Sequence, residues 1–173
     1  MKKIILWKNR NELSDKVTII DDEDYEKVVE AAGRGKWYAH SNGSTKDYAM
    51  SGTRRNSVHR VVMDNPEGMC IDHINGDPLD NRKSNLRICT KAQNSQNKKL
   101  RSDSASGFKG VYQRMSGRFE AYIGDPNSPS TNKRSIKLGI FSSAEEAARA
   151  YDKKAIELYG EFAYTNFPIE DYQ

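Results

Sequence analysis

Cysteine is scarce in this chain: its 173 residues hold two, Cys70 and Cys89. Two cysteines do not make a disulfide framework, and these lack the paired close spacing of a zinc knuckle. No apolar run approaches the ~20 residues that cross a bilayer. The opening "KKIILW" has a basic flank and a short apolar patch, but the patch is too short for a signal peptide and no small-residue cleavage site follows, so it reads as a first strand. Apolar material is thin throughout, with 36% hydrophobic residues, 30% charged residues and a mean hydropathy of −0.87. Modules built from such a chain have small cores. The length suits one ordinary domain or two or three small ones. With no export signal, both cysteines are expected as reduced thiols on the apolar side of strands, in a cytoplasmic protein, and the "NGS" at Asn42 carries no weight as a glycosylation sequon.

Charge is abundant but unevenly placed. The net +4 conceals residues 13–32, with seven acids against Lys16 and Lys27, and residues 91–141, with ten Lys or Arg against Asp103, Glu120 and Asp125. A concentrated positive half is the electrostatic footprint of a polyanion binder, which makes nucleic acid the expected partner.

The expected fold class is α+β in three parts. Residues 1–55 read as a small α+β scaffold. "VTII" is a strand. "DDEDYEKVVEAAG" is a helix capped by Asp21 or Asp22, apolar at Tyr25, Val28, Val29 and Ala32, and stopped by Gly33. "KWYAH" and "DYAM" are two more strands. Residues 56–100 form a second region. A polar joint follows, "KKLRSDSAS", with 101–105 as its linker. The third region, 106–168, reads strand, strand, strand, helix. "FKGVYQR" and "RFEAYIG" flank the turn "MSG", and "KRSIKLGIF" is the third strand. In the helix "SSAEEAARAYDKKAIELYGE", Ser142 with Glu145 and Ser143 with Glu146 are overlapping capping boxes. Its small alanine face implies close packing on a sheet whose core is Val111, Phe119, Ala121, Ile123, Ile136 and Leu138. Lys109, Arg114, Arg118, Lys133, Arg134 and Lys137 crowd the same strands, so the uncovered face can be basic.

"KGVYQR", "LGIFSSAEEAARAYD" and the closing "TNFP" at Thr165–Pro168 resemble the ethylene-response-factor, or APETALA-type, DNA-binding domain. The resemblance covers roughly 60 residues. It implies a three-stranded antiparallel sheet, packed on one helix, that lies in the major groove of double-stranded DNA. It places Lys109, Arg114, Arg118, Phe119 and Lys137 at contacting positions. Tyr112, Tyr122 and Gly124 stand where the plant proteins usually carry charge, so the docking mode carries over but the target sequence does not.

The middle region holds "CIDHINGDPLDNRKSNLRICTKAQNSQN", crowded with asparagine around one histidine. It reads as a strand ending at Asp72–His73, a turn at "INGD", a strand at Leu86–Cys89, and a helix from about Lys91 with Thr90 and Gln93 as a capping box. The parts suit phosphodiester hydrolysis. Asp72 offers a carboxylate and Asn94 a side-chain carbonyl to a hard cation, and His73 is suited to take a proton from water. Asn85 or Asn81 can orient the His73 ring, and Asn75 makes the turn. Asn97 reads as helix surface or a DNA contact in preference to a second ligand; His59 can touch the site or a phosphate, with a structural role preferred; His40 reads as packing, and Trp7 and Trp37 as core.

"VHRVV", "DHINGD", "DNRKSNLR" and "QNSQN" resemble the His-Asn-His (HNH) nuclease motif in its phage homing-endonuclease variant. The resemblance implies a ββα-metal (His-Me finger) unit. In it His73 is the general base, Asp72 and Asn94 hold one divalent metal, and Asn85 is the structural middle asparagine. Asn94 replaces the usual third histidine, and Lys91 on the same helix reaches toward the scissile phosphate. The expected metal is Mg²⁺, with Mn²⁺ also fitting, and no zinc, since the cysteine clamp of many relatives is missing. The hairpin–helix unit must then be held by the N-terminal region.

The joined expectation is a homing-type DNA endonuclease of a phage-infected host cell. It acts as a monomer on double-stranded DNA and has no membrane partner. Lys98, Lys99 and Arg101 follow the phosphate backbone between the cutting and binding parts. The rival reading is a non-catalytic, sequence-specific DNA-binding regulator; an RNA module stacking bases on Tyr112, Phe119 and Tyr122 is a third.

Overall fold

"KKIILW" does begin a sheet. In the computed structural model, which describes residues 1–33, 36–41, 46–52, 56–97, 100, 104–128 and 134–172, β1 (Lys2–Trp7) pairs antiparallel with β2 (Leu13–Ile20). β2 is longer than "VTII" because its first half continues the ladder to Trp7. β3 (Trp37–Ser41) runs parallel to β1, and β4 (Asp47–Ser51) antiparallel to β3, giving the order β2-β1-β3-β4. The loop at Asn42 lies outside the described residues.

The expected helix forms as a 3-10 turn at Asp22–Asp24 followed by α1 (Tyr25–Ala31). The expected aspartate cap is not made. The Asp21 carboxylate instead accepts from the Lys83 amide at 2.9 Å, and Asp22 takes the N-terminal ammonium. Val28 is buried while Val29 is exposed, and Gly33 closes the helix at φ +68°. Trp37 fixes α1 on the sheet by donating its indole N–H to the Val28 carbonyl at 3.1 Å.

α2 (Val58–Val62) follows β4. The hairpin β5 (Cys70–His73) and β6 (Leu86–Cys89) then forms with Cys70 opposite Cys89 and His73 opposite Leu86; both cysteines are thiols. Leu6, Ile20 and Trp37 of the scaffold share one core with Val58, Val62 of α2 and Ile71, Leu86 of the hairpin. The scaffold and the hairpin are therefore one compact unit, Met1–Lys91, which answers how a small hairpin without a cysteine clamp is held.

The second unit, Ala92–Gln173, takes in most of α3 (Lys91–Gln96). Its sheet has the order β7 (Val111–Gln113), β8 (Phe119–Gly124), β9 (Ser135–Phe141), all antiparallel. α4 (Ala144–Tyr159) lays Ala147, Ala148, Tyr151 and Ala155 against Val111, Ala121 and Ile123. Ser143 caps it by accepting from the Glu146 amide at 3.1 Å, and the Glu146 carboxylate reaches back to the Ser142 amide and hydroxyl. The motif ends "YD" and "TNFP" meet. Buried Asp152 accepts from the Asn166 and Phe167 amides, the Asn166 side chain and the Tyr172 hydroxyl, while the Asn166 oxygen accepts from the Lys109 amide at 2.6 Å.

The Tyr151 ring of α4 lies directly against Gly110, the residue before β7. A β-carbon there would sit 2.1 Å from a Tyr151 ring carbon and 2.7 Å from the Tyr122 carbonyl, at φ +76°. Both the clash and the left-handed backbone oppose any side chain, so Gly110→Ala is expected to destabilise the second unit by on the order of 3 kcal/mol. Urea unfolding followed by amide protection in α4 and β8 checks this.

Candidate nuclease centre and nucleic-acid face

His73 ends β5 and is buried, and one chain of hydrogen bonds fixes its ring. It starts at Thr18 of β2, whose hydroxyl donates to the Leu79 carbonyl at 2.9 Å and so presents its oxygen as an acceptor. The Asn81 amide nitrogen donates to that oxygen at 2.7 Å and to the Pro78 carbonyl at 3.4 Å. Both acceptors require the NH₂ on that side, so the Asn81 oxygen faces His73, 3.0 Å from Nε2. A carbonyl oxygen only accepts, so Nε2 carries the proton and the neutral ring keeps its basic lone pair on Nδ1. Asn81 is fully buried, which makes this amide costly to misplace.

The other asparagines shape the loop. Asn75 makes an Asx turn by accepting from the Asp77 amide at 2.8 Å, ahead of Gly76 at φ +70°. Asn85 pins both ends of the turn, accepting from the Asn75 amide at 3.0 Å and donating to the Asp80 carbonyl at 2.8 Å. Of the two amides that sequence left open, Asn81 orients the ring and Asn85 holds the loop. The loop in turn lies along β2, with the Ile19 amide donating to Leu79 and the Asn81 amide to Ile19.

Asp72 precedes His73 on β5 and is held by the facing strand. It is buried, and one of its oxygens accepts from Arg87 Nε at 2.9 Å and Nη2 at 2.7 Å, directly across the ladder. Lys91 is exposed at the start of α3, and Asn94 and Asn97 are half-buried in the second unit. Among the described residues, no group of three or more His, Cys, Asp or Glu side chains is arranged to hold a metal. The Asp72 carboxylate is a hard oxygen donor, of the kind that suits an ion taking one or two protein oxygens and completing its shell with phosphate and water.

One residue near His73, for which sequence left a site contact open beside a structural role, is now placed. His59 of α2 stacks edge-to-face on the His73 ring, with centroids 5.3 Å apart. Nothing in the local pattern "VHRVV" signals this, because the meeting depends on how α2 packs on the hairpin. Burial, then the charge of His73 and Arg60, push His59 down to about 3. Burial also lowers His73, against the opposing pull of Asn81, Asp72, Asp77 and Asp80.

In the second unit, α4 covers one face of the sheet. Phe119, expected among the DNA contacts, packs with the core of the covered face, because it alternates with Ala121 and Ile123 along β8. Lys109 is also turned inward. Its ammonium donates to the Gln96 carbonyl at 2.7 Å near Tyr164, and burial pushes it down to about 8. The other face carries exposed Tyr112, Arg114 and Lys137, with Glu120 between the two cations at 2.7 and 2.6 Å. Tyr122 lies edge-on to Tyr112, 5.9 Å between centroids. Arg118 and Arg134 are exposed; Lys98, Lys99, Arg101 and Lys133 lie outside the described residues.

The first unit thus presents a histidine at the end of a two-stranded hairpin, and the second a three-stranded sheet on one helix with cations on its uncovered face. Residues 57–96 match the HNH endonuclease family and residues 106–161 the AP2 domain. An uncharacterised HNH endonuclease of Acanthamoeba polyphaga mimivirus is 30% identical over 140 residues, 76% of this chain and 66% of that protein. Ethylene-responsive transcription factor 3 of Nicotiana tabacum is 52% identical over 62 residues, and factor ERN1 of Medicago truncatula 39% over 89. The chain spans 26% and 32% of those two plant factors. The chain thus carries an HNH-type region followed by an AP2-like domain.

Buried His73 and half-buried His59 both have folded-state values below the ordinary ~6.5, so the unfolded chain takes up protons first as pH falls. Their contribution is intact above pH ~6.5 and is lost progressively below it, for His59 down to about 3. All three histidines (His40, His59, His73) and both tryptophans (Trp7, Trp37) lie in the first unit. The urea midpoint read by tryptophan fluorescence is therefore expected to fall between pH 7 and pH 5. A midpoint unchanged over that interval would contradict the assignment.

Proposed function

We propose that this chain is a metal-dependent DNA endonuclease in which His73 activates the attacking water. The observation that carries the reading is the buried Thr18–Asn81–His73 chain, which leaves the basic lone pair on Nδ1 of a ring kept neutral by burial. Nδ1 takes the proton from water as its oxygen attacks phosphorus, and Asn81 accepts from the imidazolium that forms. Asp72, held by Arg87, is the proposed ligand in the first unit, and Mg²⁺ or Mn²⁺ fits its oxygen donor. An ion held there would supply Lewis-acid polarisation of the phosphoryl group and charge stabilisation of the leaving oxygen. The family resemblance adds Asn94 as a second ligand, Asn85 as the middle asparagine and Lys91 as a phosphate contact.

The AP2-like unit supplies affinity and register, with Arg114, Arg118, Arg134 and Lys137 meeting double-stranded DNA in the major groove and Lys98, Lys99, Arg101 and Lys133 following the backbone. One histidine centre per chain suits nicking by a monomer. The homing role, in a phage-infected host, is proposed from the resemblance alone.

Supercoiled plasmid separates cutting from binding. Wild type with Mg²⁺ is expected to nick it and chelator to stop the reaction. His73→Ala should bind normally and cut on the order of 10²–10⁴-fold more slowly. Undiminished or metal-independent cutting by the variant would refute the mechanism. Lys137→Ala is expected to weaken binding across sequences and to lower the salt dependence by about one ion, with the rate of bound cutting little changed; filter binding at several salt concentrations measures it.

A further inference from the structure

Asn81 holds His73 at a single atom. The histidine χ2 torsion is intrinsically broad, so the plane of the ring is set by what packs on its faces and edges. Two further rings close on it. Tyr48 of β4 lies 6.3 Å from His73 at 63°, His59 of α2 lies 5.3 Å from it at 81°, and Tyr48 and His59 are 6.0 Å apart at 67°. Each pair is edge-to-face, the arrangement aromatic rings favour. Three separate elements supply the triangle, and His59 is placed independently of His73. Its Nε2 lies 3.1 Å from the Ser57 hydroxyl, Ser57 bridges to Met50, and the Ser51 amide donates to the Asn56 carbonyl at 2.9 Å.

We infer that His59 is a positioning residue for His73: its ring, seated with Tyr48, fixes the plane of the general base while Asn81 fixes its edge. The inference rests on the nuclease reading above. Catalysis by a base depends on the aim of one lone pair, so a loosened ring lowers turnover and leaves DNA binding alone.

His59→Phe keeps a ring and removes the hydrogen bond to Ser57; His59→Leu fills the space without a ring. In the full chain without metal or DNA, ¹³C relaxation of the His73 ring reports its order. Wild type and His59→Phe are expected to stay near the rigid value of about 0.85, and His59→Leu to fall toward about 0.6. With Mg²⁺ and plasmid, His59→Leu should lose on the order of tenfold in kcat at a KM within about twofold, and His59→Phe should restore most of it. A ring in His59→Leu as ordered as wild type, or a His59→Phe as impaired as His59→Leu, overturns the inference. Should His59→Leu fail to fold, Tyr48→Leu removes the other ring and is expected to shift order and kcat in the same direction; no shift there overturns it too. Wild type that does not cut at all sinks the nuclease reading, and the relaxation data still decide the positioning.

Discussion

A single buried amide organises the first unit. Asn81 joins a strand of the scaffold to the end of the nuclease hairpin, donating to Thr18 and accepting from His73. With both sides of the amide used, neither partner can be exchanged without leaving a buried polar group unsatisfied. The same bonds select the tautomer of His73. Folding of the scaffold and preparation of the base are thus one event, and the shared core of Leu6, Ile20, Trp37, Ile71 and Leu86 expresses the same dependence in apolar terms.

The second unit is built on a parallel economy. Its core is small and rich in alanine, so the helix must come close, and Gly110 marks where it does. Asp152 adds the polar clasp, gathering the "TNFP" segment onto α4, and Asn166 passes the connection to the Lys109 backbone at the start of the sheet. Where apolar material is thin, buried Asp152 is held by several partners at once.

Much of this was legible in the chain, and the failures have a common cause. The repeat of "AEEAARAYD" and its serine caps announce α4, and the β5–β6 hairpin with α3 follows from local turn and capping signals. The division of labour between Asn81 and Asn85 was not legible, because it depends on Thr18, 63 residues earlier. His59 reads as structural until α2 is set against the hairpin. Phe119 and Lys109 match family contact positions, yet strand alternation turns the first inward and α3 takes up the second. Glu120 drew notice only as one acid in a basic stretch, but it neutralises two of the cations that sequence counting assigns to DNA.

The loop that presents Asn81 does one thing more. β2 is an outer strand of its sheet, and an outer strand with unpaired backbone groups invites pairing with another chain. Leu79 and Asn81 occupy the Ile19 amide and carbonyl, and at the opposite rim Ser57 and Asn56, leading into α2, occupy the end of β4. Both rims are closed by the segments that deliver His73 and His59. A lesion that frees either segment therefore exposes a sticky sheet margin along with a displaced His73 or His59, so its visible consequence includes self-association.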